Sequence, residues 1–169
     1  GVLFERGLGS KGNVDHFDPD SDTKFALLDL SKPLVAIAAL KLWEEGRLEL
    51  DVPISMYLPE FKKMSSKSSA DGKAAIRVKD LFTHTAGFAN NLDHKSGARG
   101  LSGSAAPKRD LFKTYQDKNL FTLKSLLSPE FEGRPLAMHV EELSTEPLLY
   151  EPGSSFEYSV STEVLARII

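Results

Sequence analysis

The stretch "ALLDLSKPLVAIAALKLWEEGRLELD", residues 26–51, decides how this chain is read. From Leu34 to Leu40 every residue is apolar, and a helix apolar on all faces is expected to be buried. Asp29 stands ahead of this run as a helix N-cap, its carboxylate able to accept from first-turn amides that have no partner inside the helix. Pro33 fits the same first turn, where its missing N–H costs nothing. Lys41, Glu44 and Glu45 mark the emergence of the helix into water, and Gly46 is the expected C-cap. The segment therefore predicts a helix over 29–45. Taken alone, Asp29 and Lys32 read as a cap with an i, i+3 ion pair.

The rest of the chain bounds the problem without deciding it. Its 169 residues make about one domain, and the net charge of −3 is spread over interspersed acids and bases. No basic patch points to nucleic acid. There is no cysteine, which excludes disulfides, thiolate metal sites and cysteine nucleophiles. The run Leu34–Leu40 is far short of the roughly 20 apolar residues of a membrane span. Gly1 to Gly7 lack a basic start and an apolar signal core. The chain opens without methionine and stops at Ala166-Arg167-Ile168-Ile169, inside a helical pattern. A partial chain is expected, with its compartment and oligomeric state unspecified.

Weak alternation over residues 1–8 predicts a strand closed by Gly7 and Gly9. A polar loop follows over 9–22, and Thr23 to Leu28 reads as extended. Beyond the helix, Asp51-Val52-Pro53-Ile54 opens a short turn or helix ending near Phe61. Residues 62–75 and 89–109 read as loops. Leu111–Leu127 and Leu136–Leu149 carry helical spacing. Phe156 to Val160 reads as extended, and a last helix opens at Thr162.

Several motifs carry bland readings that outweigh their functional ones. Gly7-Leu8-Gly9-Ser10-Lys11-Gly12 fits the dinucleotide pattern, but that pattern needs a helix directly after it, and Asn13, Asp15 and Pro19 follow instead. Asp18, Asp20 and Asp22 resemble half a calcium loop, yet Thr23 stands where its glycine belongs and Asp29 where its glutamate belongs. They read as a solvated acidic turn. The histidines His16, His84, His94 and His139 have no zinc-pair spacing, so neither metal nor cofactor is expected. His84, at a helix-to-loop corner, reads as a structural hydrogen-bonding partner of backbone. Tyr158 alone reads as a packing tyrosine.

What changes the weighing is that three stretches occur together and in order. "DSDTKFALLDLSKPLVAIAALKLWEEGRLELDVPISMYLPEF", "IRVKDLFTHTAGF" and "EPGSSFEYSVSTEVLARII" resemble the signatures of the serine β-lactamase-like superfamily. Its members include class C β-lactamases, D-amino-acid peptidases, family VIII carboxylesterases and transacylases. The resemblance implies an α+β, β-lactamase/transpeptidase-like fold, here mostly its helical part with an incomplete antiparallel sheet. Residues 1–50 would be a partial α/β region carrying the nucleophile-position helix. Residues 51–169 would be mainly helical and end at the tyrosine motif. The family's opening strand and helix would precede Gly1, and its closing strands, with a Lys/His-x-Gly motif, would follow Ile169. Val160, the third residue of the Tyr158 motif, resembles esterase-like members more than β-lactamases, which have asparagine there.

The resemblance also implies site residues: Lys32, Tyr158 and, at the position of the nucleophilic serine, Asp29. Ser31 does not replace it by spacing, because each residue along a helix turns the side chain by about 100°. The family mechanism needs a hydroxyl that loses its proton to lysine or to tyrosine phenolate and then attacks a carbonyl. Asp29 offers none. A carboxylate one turn from Lys32, at about 4 Å and an effective dielectric of about 20, attracts it by about 4 kcal/mol before desolvation. That favours the ammonium over the free base. The expectation is a hydrolase-like protein with weak or no turnover, binding a small ester, amide or lactam-like ligand. The alternatives are altered chemistry through Asp29 and Tyr158, or a non-catalytic binding module.

Overall fold

The computed structural model describes residues 1, 3–9, 20–25, 27–64, 75–89, 113–115, 117–118, 120 and 135–169. Most of the glycine-rich stretch 89–109, the second half of the G-x-G-x-x-G pattern, Asp18 and much of the helix expected over 111–127 lie outside them. The chain divides into two compact units, Gly1–Ser31 and Lys32–Ile169.

The first unit holds no strand among its described residues. The described residues of 1–8 do not form the strand expected there, and Leu3, Phe4 and Leu8 are exposed. A strand has to hand its amides and carbonyls to a neighbour, and no described segment pairs with it. The acidic turn closes on itself. The Thr23 amide donates to the Asp20 carbonyl at 3.1 Å, and the Thr23 hydroxyl donates to the Asp20 carboxylate at 2.7 Å. Leu28–Leu30 then form a single 3-10 turn, where extended chain was expected up to Leu28. Leu28 takes the left-handed region at φ 46°. Asp29 lies inside this turn, whose N-cap is Leu27, so Asp29 is not the N-cap that the sequence predicted.

Helix α1 spans Ser31–Glu44. Its end is a complete Schellman motif. Gly46 adopts φ 69°, its amide donates to the Trp43 carbonyl at 3.0 Å, and the Arg47 amide donates to the Leu42 carbonyl at 2.9 Å. Those two bonds satisfy carbonyls that the end of the helix leaves open. The expected burial of α1 does not hold. Ala39 is its one buried residue, while Leu34 and Ile37 are 58% and 64% exposed. Val35 and Leu42 pack against the core. An apolar run tells which faces of a helix tolerate burial, but burial needs a facing surface, and among the described residues only one face has it.

After α1 the chain makes two 3-10 turns, Ile54–Met56 and Pro59–Lys63, matching the short helical region expected there. An isolated antiparallel bridge joins Pro53 to Arg77. Around it the Ile54 amide donates to the Ile76 carbonyl at 2.8 Å and the Val78 amide to the Val52 carbonyl at 3.1 Å. Helix α2, Val78–Phe82, follows directly. Its third residue, Asp80, accepts from the Arg77 amide at 2.8 Å, so a buried carboxylate closes the start of the helix. Helix α3 spans Leu136–Leu143 and ends well before the expected Leu149. The hydroxyls of Ser144 and Thr145 bond back to the carbonyls of Glu141 and Glu142 at 2.6 and 2.7 Å, and Pro147 bars continuation. Helix α4, Ser161–Ile168, packs on α2 and on α3. Leu81, Phe88, Val140, Leu143, Val164 and Leu165 are fully buried among them. No helix among the described residues is long and apolar enough to cross a membrane.

Candidate active site

Two segments distant in sequence are laced together beside α4. Three backbone bonds do it. The Leu149 amide donates to the Gly87 carbonyl at 2.8 Å, the Gly153 amide to the Thr85 carbonyl at 2.8 Å, and the Glu157 amide to the His84 carbonyl at 2.9 Å. The His84–Gly87 loop is itself held by Asp80, whose carbonyl accepts from the Thr85 amide at 2.9 Å and whose carboxylate accepts from the Thr85 hydroxyl at 3.3 Å. Gly87 is required by this arrangement. It has φ +89°, and a Cβ there would lie 2.6 Å from the Tyr150 carbonyl oxygen. The second signature stretch thus serves as the scaffold for the third.

His84 completes the scaffold. It adopts φ 54°, a region uncommon for residues other than glycine but in which histidine is enriched. Its Nδ1 accepts the Ser159 amide at 3.2 Å, which in a neutral ring leaves the proton on Nε2. The imidazole lies against the Tyr158 ring, centroids 4.6 Å apart, and meets the Phe156 ring edge-on at 6.2 Å. The structural reading of His84 holds, with backbone as its partner. Residues 156–160, expected to be extended, form no strand, and these contacts fix them instead.

Lys32 reaches this segment from the first turn of α1. Its Nζ is 5.2 Å from the centroid of the Tyr158 ring, within the range of a cation–π contact. It also donates to the Ser159 carbonyl at 3.4 Å. Both oxygens of Glu163 accept from it, at 2.8 and 2.9 Å. The Lys32 side chain is 13% exposed and that of Glu163 33%. Lys32 and Tyr158, named from the sequence, therefore stand next to each other although 126 positions separate them. Asp29 belongs to the first unit, where it is exposed on the 3-10 turn.

Glu163 is the residue that sequence reading passed over. It occupies the first turn of α4, where a carboxylate is favoured by the helix dipole. A glutamate at this third position ordinarily reaches back to close a capping box. Here the cap is Val160, which forms no side-chain cap bond, and Glu163 turns to Lys32. An acidic residue in a first turn with an apolar cap is the signal that was available.

Lys32 and Tyr158 thus stand side by side on a helical scaffold. Two solved structures share the fold. One is EstCE1, a hydrolase with promiscuous acyltransferase activity, with a TM-score of 0.53 and 27% identity, covering 82% of this chain and 30% of the other. The second is a simvastatin synthase variant from Aspergillus terreus, with a TM-score of 0.52 and 19% identity, covering 92% of this chain and 34% of the other.

The chain belongs to the Beta-lactamase family, whose pattern it matches over residues 2–169. Esterase EstB of Burkholderia gladioli is 27% identical over 168 residues, which is 99% of this chain and 37% of that protein. The mitochondrial serine β-lactamase-like protein LACTB of Mus musculus is 31% identical over 210 aligned residues, again 99% of this chain and 37% of the relative. The chain thus spans a little over a third of the length of these relatives.

Proposed function

We propose that this protein is an acyl-hydrolase or transacylase relative whose turnover is weak or lost because its nucleophile position holds Asp29. The observation that carries the reading is the Lys32–Tyr158 pair, Nζ 5.2 Å from the ring centroid, in a chain with a carboxylate three residues before the lysine. In this reading the lysine and the tyrosine side by side are the groups that would pass a proton to and from a hydroxyl. Such a pair activates a hydroxyl when one is present. Asp29 has no hydroxyl to activate.

The ligand that fits this reading is a small ester, amide or lactam-like carbonyl compound. EstB, by its name an esterase, and the promiscuous hydrolase EstCE1 support the ester side of that range. The incomplete antiparallel sheet of the β-lactamase/transpeptidase architecture is part of the same proposal.

Short-chain nitrophenyl esters offered to the full-length protein test it. The wild type is expected at background, Asp29→Ser is expected about a hundredfold above it, the scale of one correctly placed acid–base group, and Lys32→Ala in that variant is expected to abolish the gain. A robust wild-type rate that Lys32→Ala abolishes would overturn the reading.

A further inference from the structure

We propose that the rings of Phe156, His84 and Tyr158 form a ledge that takes the apolar chain of the carbonyl ligand, with Phe156 as the residue that sets the preference for longer chains. The inference deepens the acyl-transfer reading and rests on it for the place of the ligand's carbonyl beside Lys32 and Tyr158.

Three observations carry it. First, the rings are continuous. The His84 imidazole lies 4.6 Å, centroid to centroid, from the Tyr158 ring and meets the Phe156 ring edge-on at 6.2 Å. His84 therefore bridges the tyrosine beside Lys32 to the phenylalanine two residues before it. Second, the row is open to solvent. Glu157 and Ser159 are buried, Tyr158 and His84 are half-buried, and Phe156 is 48% exposed. That alternation is the period of an extended chain, whose successive side chains point to opposite sides, and Phe156 and Tyr158 share the open one. Third, the ledge is built in advance. The Glu157 amide, directly after Phe156, donates to the His84 carbonyl at 2.9 Å, and the Ser159 amide donates to His84 Nδ1 at 3.2 Å.

A single exposed hydrophobic residue on a protein surface ordinarily needs no explanation. Phe156 differs in its setting, packed against a ring that is itself fixed by backbone and that touches the tyrosine of the site. A surface ordered before the ligand arrives binds without the loss of side-chain freedom that a loose one suffers. Phe156 offers no hydrogen-bonding group, so it favours each methylene laid against it and does nothing for a polar chain. The ligand's carbonyl stays with Lys32 and Tyr158, and its chain runs over His84 towards Phe156.

The test reads binding and needs no turnover. The probes are 2-pentanone and 2-nonanone, which share a carbonyl, have no leaving group and differ by four methylenes. Their affinities for the full-length protein are measured by saturation-transfer NMR titration, and the readout is the ratio of the two. Full burial of a methylene is worth about fourfold in affinity, and contact along one side about twofold, so the wild-type ratio is expected to be about tenfold or more in favour of 2-nonanone. Phe156→Ala is expected to cut it to about threefold or less, and Phe156→Leu, which keeps most of the apolar surface, to stay within about threefold of wild type. A variant that merely loosens the segment weakens both ketones and leaves the ratio alone. Met56, 67% exposed on the turn Ile54–Met56, supplies the control, and Met56→Ala is expected to leave the ratio unchanged.

A wild-type ratio near one overturns the proposal. So does a ratio unchanged in Phe156→Ala, or one that falls as far in Met56→Ala. Because the ketones are not hydrolysed, this readout is independent of the nitrophenyl ester assay, and the two readings fail separately. A ratio lowered in Phe156→Ala with Asp29→Ser inactive supports the ledge and removes the acyl-transfer reading. An unchanged ratio with Asp29→Ser active does the reverse.

Discussion

Replacing Gly87 by alanine measures how tightly the loop after α2 grips the tyrosine segment. The residue sits at φ +89°, and the new Cβ would stand 2.6 Å from the Tyr150 carbonyl oxygen and 3.2 Å from the Leu148 Cβ. Placing an L-residue in the left-handed region costs about 1–2 kcal/mol. The loss of unfolded-state freedom returns about 0.4–1 kcal/mol. The remaining cost is steric. Backbone must retreat, and the bond from the Leu149 amide to the Gly87 carbonyl, 2.8 Å long, is the first to be given up, at about 1 kcal/mol. Bond-angle distortion needed to reach an ordinary contact adds about 1 kcal/mol more. The sum is about 3 kcal/mol.

Gly46→Ala is the control for that sum. Gly46 has φ +69° and nothing within 4 Å of a built Cβ, so only the conformational part applies, about 1 kcal/mol net. In urea unfolding of the full-length protein, with a slope of about 2 kcal/mol/M, the midpoint of Gly87→Ala should fall about 1 M further than that of Gly46→Ala. Equal midpoints for the two variants would show that the Gly87–Tyr150 approach is not tight, and the scaffold argument would fail with it.

Other outcomes follow from the same contacts. His84→Ala removes the acceptor of the Ser159 amide and the ring against Tyr158. It is expected to cost about 2 kcal/mol in urea unfolding, one hydrogen bond plus one aromatic contact. The Tyr150 hydroxyl is buried and has no hydrogen-bond partner among the described residues, so Tyr150→Phe is expected to leave stability at pH 8 unchanged or raised by up to about 1 kcal/mol.

Burial, with Glu157 nearby, holds the Tyr150 phenol well above its ordinary value of 10. Burial raises Tyr115 in the same direction. A folded-state value above the unfolded one gives stability that is complete below pH 10 and drains away as pH climbs beyond it. Urea midpoints of the wild type at pH 8 and pH 11 should show this loss, and Tyr150→Phe should show a smaller one, with Tyr115 still present. The pair of Asp51 with Lys79, whose hydrogen bond and charge lower the Asp51 carboxyl below 3.8, works on the acid side. Its contribution is present at neutral pH and lost as pH falls through the depressed value, so Asp51→Asn should lower the urea midpoint slightly at pH 7, by an amount that shrinks as pH is taken down through the acid range.

The chain's own order of residues was enough for whatever closes within a turn or two. The end of α1 at Gly46 was legible because a Schellman motif needs only the residues beside it and one residue that tolerates positive φ. The acidic turn around Asp20 and Asp22 was legible for the same reason, although Thr23, read as the start of an extended segment, is the residue that closes it on Asp20. The family was legible because three signature stretches appear in order over most of the chain.

Long-range effects were not legible. The strand expected at residues 1–8 lacked a pairing segment among the described residues. The apolar face of α1 with Leu34 and Ile37 lacked a facing surface. Nothing within reach of Lys32 along the chain announces that its carboxylate partner stands 131 positions later, or that His84 would hold the amide of Ser159. Local geometry is dictated by sterics and hydrogen bonds among neighbours, which the order of residues encodes directly. Burial and ion pairing depend on which surfaces the packed chain brings face to face, and for Lys32 and Glu163 only the tertiary structure decided that.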